Sequence, residues 1–341
     1  MAGDSVNEKT TPNEKTTPGL SSIVTDQAGY LIATAARAPS VHNTQPWRFR
    51  VSPGVIELYA DQRRKLRTDP AGREMLISCG AALFGLRLAV RSLGYQPVVR
   101  LLPDPRRLRL LAAVSIGREQ PMTSEERQML DAIPHRHTHR GPFSSEPLPL
   151  GVLARVQHHA MAENATLALT DRPLDYQRLA DILTASSRRQ DLDPLARNEV
   201  RRWSRGPAEQ QRDGVPAHAF PAKKIRQPGR LPQRDFDLGR EFGQMSAQGH
   251  PPAGTGILLT PGDSRADWLH AGQALHRMLV YAASNWVFAS LYTQPLEAAA
   301  VRDLIRDRLG LHGAPQIILQ FGRADTSRAT ARRAVTDLME P

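Results

Sequence analysis

Residues 38–47 read Ala-Pro-Ser-Val-His-Asn-Thr-Gln-Pro-Trp, and this run concentrates side chains suited to holding a flat ligand with polar edges. Asn43 and Gln45 each carry an amide donor and an amide acceptor, and Trp47 adds an indole face. On an extended backbone, residues two apart point the same way, so this spacing predicts Asn43, Gln45 and Trp47 on one face. Pro39 and Pro46 fix their own φ and bias the residues before them away from helix. The segment then needs little ordering on binding. By residue type alone it is either a ligand wall or a proline-rich turn between a helix and a strand.

Other chemistry-bearing residues admit bland readings. His135, His137 and His139 alternate through His-Arg-His-Thr-His-Arg and project together if the segment is a strand, but the hexapeptide holds no Asp, Glu or Cys to complete a metal site. Ser40 and His42 lack the Gly-x-Ser-x-Gly surroundings of a nucleophile. His158 and His159 are neighbours on a predicted helix, point apart and are expected in solvent. Cys79 lies in an apolar helical run and reads as a small buried hydrophobe. No Gly-x-Gly-x-x-Gly or phosphate-loop pattern occurs.

The elements that must position the 38–47 segment follow from periodicity. Ile23, Leu31 and Ala35 recur at helical spacing until Pro39 ends the run. Residues 48–52 and 55–60, separated by Pro53-Gly54, predict a hairpin. From Arg73 to Leu93 apolar residues fall on nearly every face, which predicts a fully buried helix. Strands around 98–102 and 110–116 complete an α+β unit.

The second half repeats the plan. A shift of 192 lays Gly80, Ala82, Leu83 and Leu86 on Gly272, Ala274, Leu275 and Met278, inside an apolar helix over about 267–286. Val-Ser-Ile-Gly-Arg at 114–118 corresponds in turn to Leu-Gln-Phe-Gly-Arg at 319–323. Two matches in the same order argue for duplication, and duplicated halves are expected to pack as a pseudo-dimer. The predicted boundaries are 23–133 and 134–341. Residues 1–22 hold a tandem Asn-Glu-Lys-Thr-Thr-Pro hexapeptide without an apolar residue and are expected to be a disordered tail. Residues 206–254 are rich in Pro and Gly, so this long segment is either functional or disordered.

Composition excludes some functions. The chain has 341 residues, enough for a sizeable core, and a formal charge of +11. Forty of its 45 basic residues are arginines scattered from Arg37 to Arg333 without an aromatic platform, so no specific nucleic-acid partner is expected. No apolar run approaches the roughly 18 residues of a membrane span, and no basic-then-apolar leader opens the chain. A single cysteine fits a reducing compartment. The expected location is cytoplasmic, with no membrane partner.

The 38–47 segment resembles the flavin-contacting stretch of the nitroreductase family, where the first core helix is followed by Ala-Pro-Ser, two further residues and Asn-x-Gln-Pro-Trp. Every fixed position of that pattern is present. The closer resemblance is to the Acg-type branch, which fuses two nitroreductase-like halves in one chain. It implies an α+β fold of two FMN-binding halves arranged as an intrachain pseudo-dimer, with Pro39, Ser40, Val41, Asn43 and Gln45 at the flavin. It also implies that a basic segment grips the flavin phosphate and ribityl chain. Arg136, Thr138 and Arg140 resemble that grip, with Thr where the family has Ser. Guanidinium groups bind phosphate oxygens in bidentate fashion and a hydroxyl adds a donor. Arg332 and Arg333 match the family's basic position near the C-terminal end.

Where the second half should have its wall it reads Met-Ala-Glu-Asn-Ala-Thr-Leu-Ala-Leu-Thr (161–170), and the first half has no Arg or Lys between Lys15 and Arg37. One site is complete and the reciprocal one lacks both parts, so the resemblance implies one FMN per chain. The implied activity is NAD(P)H-dependent reduction of nitro or quinone acceptors, with the flavin doing the redox work and no catalytic side chain. Acg-type proteins also carry a segment that folds over the flavin. Residues 206–254, with Phe220, Phe236 and Phe242 as anchors, correspond to it, and a closed lid implies FMN storage instead. A flavin-free scaffold is the third reading. The expected assembly is a monomer of pseudo-dimeric halves or a weak homodimer.

Overall fold

The computed structural model describes residues 20–223, 229–246, 248–324 and 329–340. The tandem hexapeptide and the rest of residues 1–19 lie outside the described residues, and the chain is already helical at Leu20, inside the predicted tail.

Helices α1 (Leu20–Asp26) and α2 (Ala28–Ala35) lead through the 36–46 segment into the hairpin β1 (Trp47–Ser52) and β2 (Val55–Ala60). Their pairing runs from Trp47 opposite Ala60 to Ser52 opposite Val55. Gly54 closes the turn at φ 75°, a backbone that glycine reaches without a Cβ penalty. The long helix α3 (Arg73–Ser92) follows, then β3 (Tyr95–Leu101) and β4 (Leu110–Glu119). These strands form an antiparallel sheet in the order β1-β2-β4-β3.

After α4 (Ser124–Ala132) and α5 (Val152–Met161), the chain makes β5 (Thr166–Leu169), α6 (Pro173–Asp191), α7 (Pro194–Trp203) and a short parallel pair, β6 (Ser204–Arg205) and β7 (Val215–Pro216). Then come β8 (Gly254–Thr260), α8 (Arg265–Ser284), β9 (Val287–Tyr292), α9 (Ala299–Leu309) and β10 (Ala314–Arg323). The second sheet has the order β5-β8-β10-β9. Each sheet therefore runs first, second, fourth, third, with its long helix between the second and third strands. A capping box, Ser264 with Asp267, starts α8 two residues before the position that apolar spacing suggested.

Each sheet buries one face against its own helix. Trp47, Phe49, Leu58, Leu83 and Leu86 belong to the first core, and Leu258, Met278, Leu319 and Phe321 to the second. Among the described residues α3 alone has the length and mean hydropathy of a membrane-spanning helix, and that surface is spent inside the protein. The sequence expectation that no run approaches such a span is corrected on this point.

The two long helices meet at glycines. A Cβ on Gly80 would stand 2.2 Å from the Leu269 carbonyl oxygen, and one on Gly272 would stand 2.0 Å from the Ile77 oxygen. The shift of 192 that relates Gly80 to Gly272 also relates Ile77 to Leu269, so the two contacts are reciprocal. Backbone-to-backbone approach this close leaves no room for any side chain. One tie across the halves accompanies it: Met339 bridges to Phe49 on the free edge of β1, while within the second half Thr138 bridges to Ala289 on the free edge of β9.

Gly272→Ala is expected to cost at least about 2 kcal/mol through overpacking, although alanine is the better helix former. Gly29→Ala, where a Cβ meets nothing within 4 Å, should be neutral or slightly stabilising. Urea unfolding of both variants checks this, and a wild-type midpoint for Gly272→Ala would contradict the crossing geometry.

Candidate functional site

The 38–47 segment is a tight turn rather than a strand. His42, Asn43 and Gln45 have φ of 49°, 56° and 49°, and residues 41–43 form a single 3-10 turn. Left-handed backbone at a non-glycine residue costs on the order of 1–3 kcal/mol and persists only where surroundings over-determine it. Here they do. Asn43 Nδ2 donates to the carbonyls of Gly214 (3.0 Å) and Ala331 (3.2 Å). Gln45 Nε2 donates to the Arg212 carbonyl (2.7 Å), and the Arg333 backbone N–H donates to Gln45 Oε1 (2.8 Å). The expectation that Asn43, Gln45 and Trp47 share one exposed face is therefore corrected. The two amides brace the turn from behind, and Trp47 is fully buried in the first core.

The front of the turn faces a cavity of about 600 Å³ lined by Pro39, Ser40, Val41 and His42, within the roughly 300–1,000 Å³ typical of small-molecule sites. Ser78 on α3 fixes this face: its Oγ accepts from the Val41 N–H (3.2 Å) and donates to the Glu74 carbonyl (2.7 Å). Thr138, His139 and Arg140, held to β9 by a His139 N–H bond to the Ala289 carbonyl (2.9 Å), line the same cavity. The Arg140 guanidinium lies 5.2 Å from the Phe236 ring centroid.

Arg136 is within electrostatic range of Arg140 and is buried; one terminal nitrogen reaches the Arg37 carbonyl at 3.3 Å, and its Nε and Nη1 have no hydrogen-bond partner among the described residues. Burial, then Arg140 and Arg37, push the Arg136 pKa down to about 10, and burial alone holds Arg140 at about 10. Neither falls far enough to discharge the group at neutral pH. Arg332 is half-buried, and burial and its cationic neighbours Arg136 and Arg37 lower its pKa well below the ordinary guanidinium value. Its donors are committed to the carbonyls of Ala36, Arg37 and Ala38 and to Asn43 Oδ1. Arg333 likewise reaches the carbonyls of Gln45 and Asp337. Pro39, Ser40, Val41, Thr138 and Arg140 thus meet at one cavity, Arg136 is not among its lining residues, and Asn43, Gln45, Arg332 and Arg333 support the turn from outside.

The far side of the cavity belongs to the Pro- and Gly-rich segment, where Phe220, Arg230, Arg234 and Phe236 are lining residues. Phe220 packs on Phe236 and Phe242 at centroid distances of 5.8 and 5.4 Å, in a small apolar cluster with Val200 and Val215. The buried Asp237 carboxylate accepts the backbone N–H groups of Glu241, Phe242 and Gly243. Gln320 on β10 accepts from Leu231 N–H and donates to the Gly229 carbonyl. Arg234 pairs with Glu297. Four residues that sequence reading passed over line this cavity or brace its far side: Glu74, Arg230, Arg234 and Gln320. Glu74 had a signal, as the one carboxylate of α3. The two arginines, in a segment without periodicity, had none.

The histidines are structural in this arrangement. His137 packs on Phe288 at 4.4 Å and His139 stacks on Phe143 at 4.7 Å. His159, expected in solvent, is fully buried, accepts from Arg277 Nε at 3.2 Å and lies against Tyr281, because α5 packs that face on α8. His42 is buried with neither ring nitrogen partnered, and burial, then Arg234 and Arg140, hold it well below the ordinary imidazole range. Burial also depresses Cys79 reactivity by raising its thiol pKa.

No family model matches the chain. Similar proteins are nevertheless found along nearly its whole length. A Mycobacterium tuberculosis H37Rv protein provisionally named NAD(P)H nitroreductase is 34% identical over 320 residues, 91% of this chain and 90% of that one. The M. tuberculosis protein acg, with the same provisional activity name, is 28% identical over 322 residues, 93% and 96% of the two chains. Among solved structures, a nitroreductase with bound FMN from Desulfitobacterium hafniense covers 63% of this chain and 98% of its own at 10% identity and a TM-score of 0.38. A likeness that low bears no weight, and the assignment rests on the sequence relatives. An α+β protein with a cavity lined by the 39–42 turn, α3, β9 and β10 thus falls within the nitroreductase-like class. The chain belongs to the Acg-type nitroreductase-like family.

His137 and His276 are buried and held near a pKa of about 3, burial being the first cause for each. As pH falls below the ordinary value of about 6.5, the unfolded chain takes up protons that the folded chain refuses. Stability is therefore expected to fall by up to about 1.4 kcal/mol per pH unit for each such histidine. His276→Gln should remove one share of that slope. Urea unfolding between pH 6.5 and 4.5 measures it, and an unchanged slope would refute the neutral-histidine assignment.

Proposed function

We propose that the chain binds one FMN in the cavity lined by residues of both halves and acts as an NAD(P)H-dependent flavin oxidoreductase on nitro or quinone acceptors. One observation carries this reading: the Pro39–Val41 face and the Thr138–Arg140 strip come from different halves and line one cavity, and Arg140 there is within electrostatic range of the buried Arg136 guanidinium, whose Nε and Nη1 have no partner among the described residues. A buried cation with unpaired N–H groups and no carboxylate beside it is costly unless an anion completes it. The phosphate of FMN is such an anion. Arg136 and Arg140 would hold it in charge-assisted hydrogen bonds, Thr138 would add a hydroxyl, and Arg332 would contribute charge while bracing the turn. Arg333 would act through the same brace, as would Asn43 and Gln45. Pro39, Ser40 and Val41 would cover the ring face.

The bound flavin would supply hydride acceptance from NAD(P)H and its onward delivery. The chain's own residues orient and enclose it. The reciprocal Gly80 and Gly272 contacts and the matching strand orders support reading the halves, 23–133 and 134–341, as an intrachain pseudo-dimer. That arrangement needs no second chain to complete the site.

A second reading has its own support. Residues 229–237 are fastened over the cavity by Gln320, by the Arg234–Glu297 pair and by Phe236 against His42 at 5.4 Å. A cover held this firmly favours storage of FMN over turnover. NADPH oxidation with a quinone separates the two: sustained turnover selects the reductase, and a yellow protein that stays oxidised selects storage.

Freshly purified protein is expected to carry about one FMN per polypeptide. Arg136→Ala should weaken FMN binding by roughly 10- to 100-fold, the value of a charge-assisted hydrogen bond of about 1.5–3 kcal/mol. Fluorescence titration of the flavin measures this. Unchanged affinity, or two flavins per chain, would overturn the site.

A further inference from the structure

The cavity contains a carboxyl group to which the reading above assigns no part. Glu74, in the first turn of α3, is a lining residue only 3% exposed, and both of its carboxyl oxygens are enclosed without a hydrogen-bond partner among the described residues. Arg73 stands 3.6 Å away, too far for a hydrogen bond. Its donors go instead to the Gln316 carbonyl and Oε1, both at 2.9 Å, and to the Leu296 carbonyl. Three further charges face Glu74: Asp69 from the loop before α3, Glu297 from the turn before α9, and Arg234 from the cover. Arg234 is committed to Glu297, and Asp69 accepts the Met75 N–H. Arg302 and Asp263 bear on Arg73 in turn. An ionised Glu74 would be a third carboxylate in a closed space whose two guanidiniums are already engaged. Burial, and then Glu297, raise its pKa to about 8.

We propose that Glu74 is a proton-holding residue of the cavity: as a neutral acid it donates a hydrogen bond to an acceptor atom on the bound ligand, so binding is linked to its proton. The proposal rests on the flavin reading only for the ligand's identity. The site is thereby suited to ligands with a lone-pair-bearing ring edge, and it rejects them once Glu74 ionises. No bond other than the hydrogen bond forms, and the proton stays on Glu74. The sign follows directly. Below about pH 8 the donor is present, and above it a carboxylate meets the ligand's acceptor edge, so affinity falls by up to about tenfold per pH unit.

Two measurements test this. In flavin-free protein, infrared spectroscopy with 13C-labelled glutamate should show a protonated carboxyl band at pH 7 that disappears on raising the pH through about 8. Glu74→Gln should abolish the band. Glu297→Gln should keep it and move its loss to lower pH. FMN affinity of the wild type should drop severalfold or more between pH 7 and 9, while Glu74→Gln, which keeps a donor, binds with little pH dependence. Absence of the band at pH 7, its survival in Glu74→Gln, its loss only in Glu297→Gln, or a flat wild-type affinity profile would each overturn the proposal. If the band behaves as expected but no FMN binds at any pH, the flavin reading fails and the proton assignment stands.

Discussion

The close crossing of α3 and α8 is the constraint on which the rest of this structure depends. With glycine at both contact points, the helix backbones touch, and each helix carries one sheet on its outer side. The distance between the sheets is then set by backbone atoms, which cannot repack as side chains do. The turn at 39–42 is fixed to α3 through Ser78, and the 138–140 strip is fixed to β9. Both are therefore delivered to one cavity by the same crossing.

Electrostatics gives that cavity its direction. Arg136, Arg140, Arg332 and Arg37 lie together with no carboxylate among them in the described residues, and burial depresses the first three while leaving Arg136 and Arg140 charged at neutral pH. Around α3, Glu74, Glu297 and Asp69 crowd together, and burial and this crowding raise the carboxyl pKa values of Glu74 and Glu297. A ligand with an anionic end and an acceptor-bearing body answers both conditions. Its binding would stabilise the folded chain by mass action, since the unfolded chain offers no such cluster.

Periodic features were legible in the sequence, and features imposed from a distance were not. The hairpin at 47–60, the all-round apolar α3 and the shift that pairs Gly80 with Gly272 each follow from local spacing, and the structure has them within a few residues. The conformation of the 42–45 turn did not follow. Its left-handed residues are held by partners such as Gly214 and Ala331, 171 and 288 positions away from Asn43, and no local pattern encodes such contacts. The same limit explains Arg332, which as an isolated cation reads as a phosphate ligand and in the fold spends its donors on carbonyls. His159 was misread for a related reason: the polar face of α5 is covered by Arg277 and Tyr281 of α8.

A crystal structure of the protein at FMN saturation tests the central claim most directly. It should contain one flavin per chain, its ring against Pro39, Ser40 and Val41 and its phosphate bonded to the Arg136 and Arg140 guanidiniums. A flavin bound elsewhere on the molecule, or a phosphate remote from those two arginines, would contradict the account.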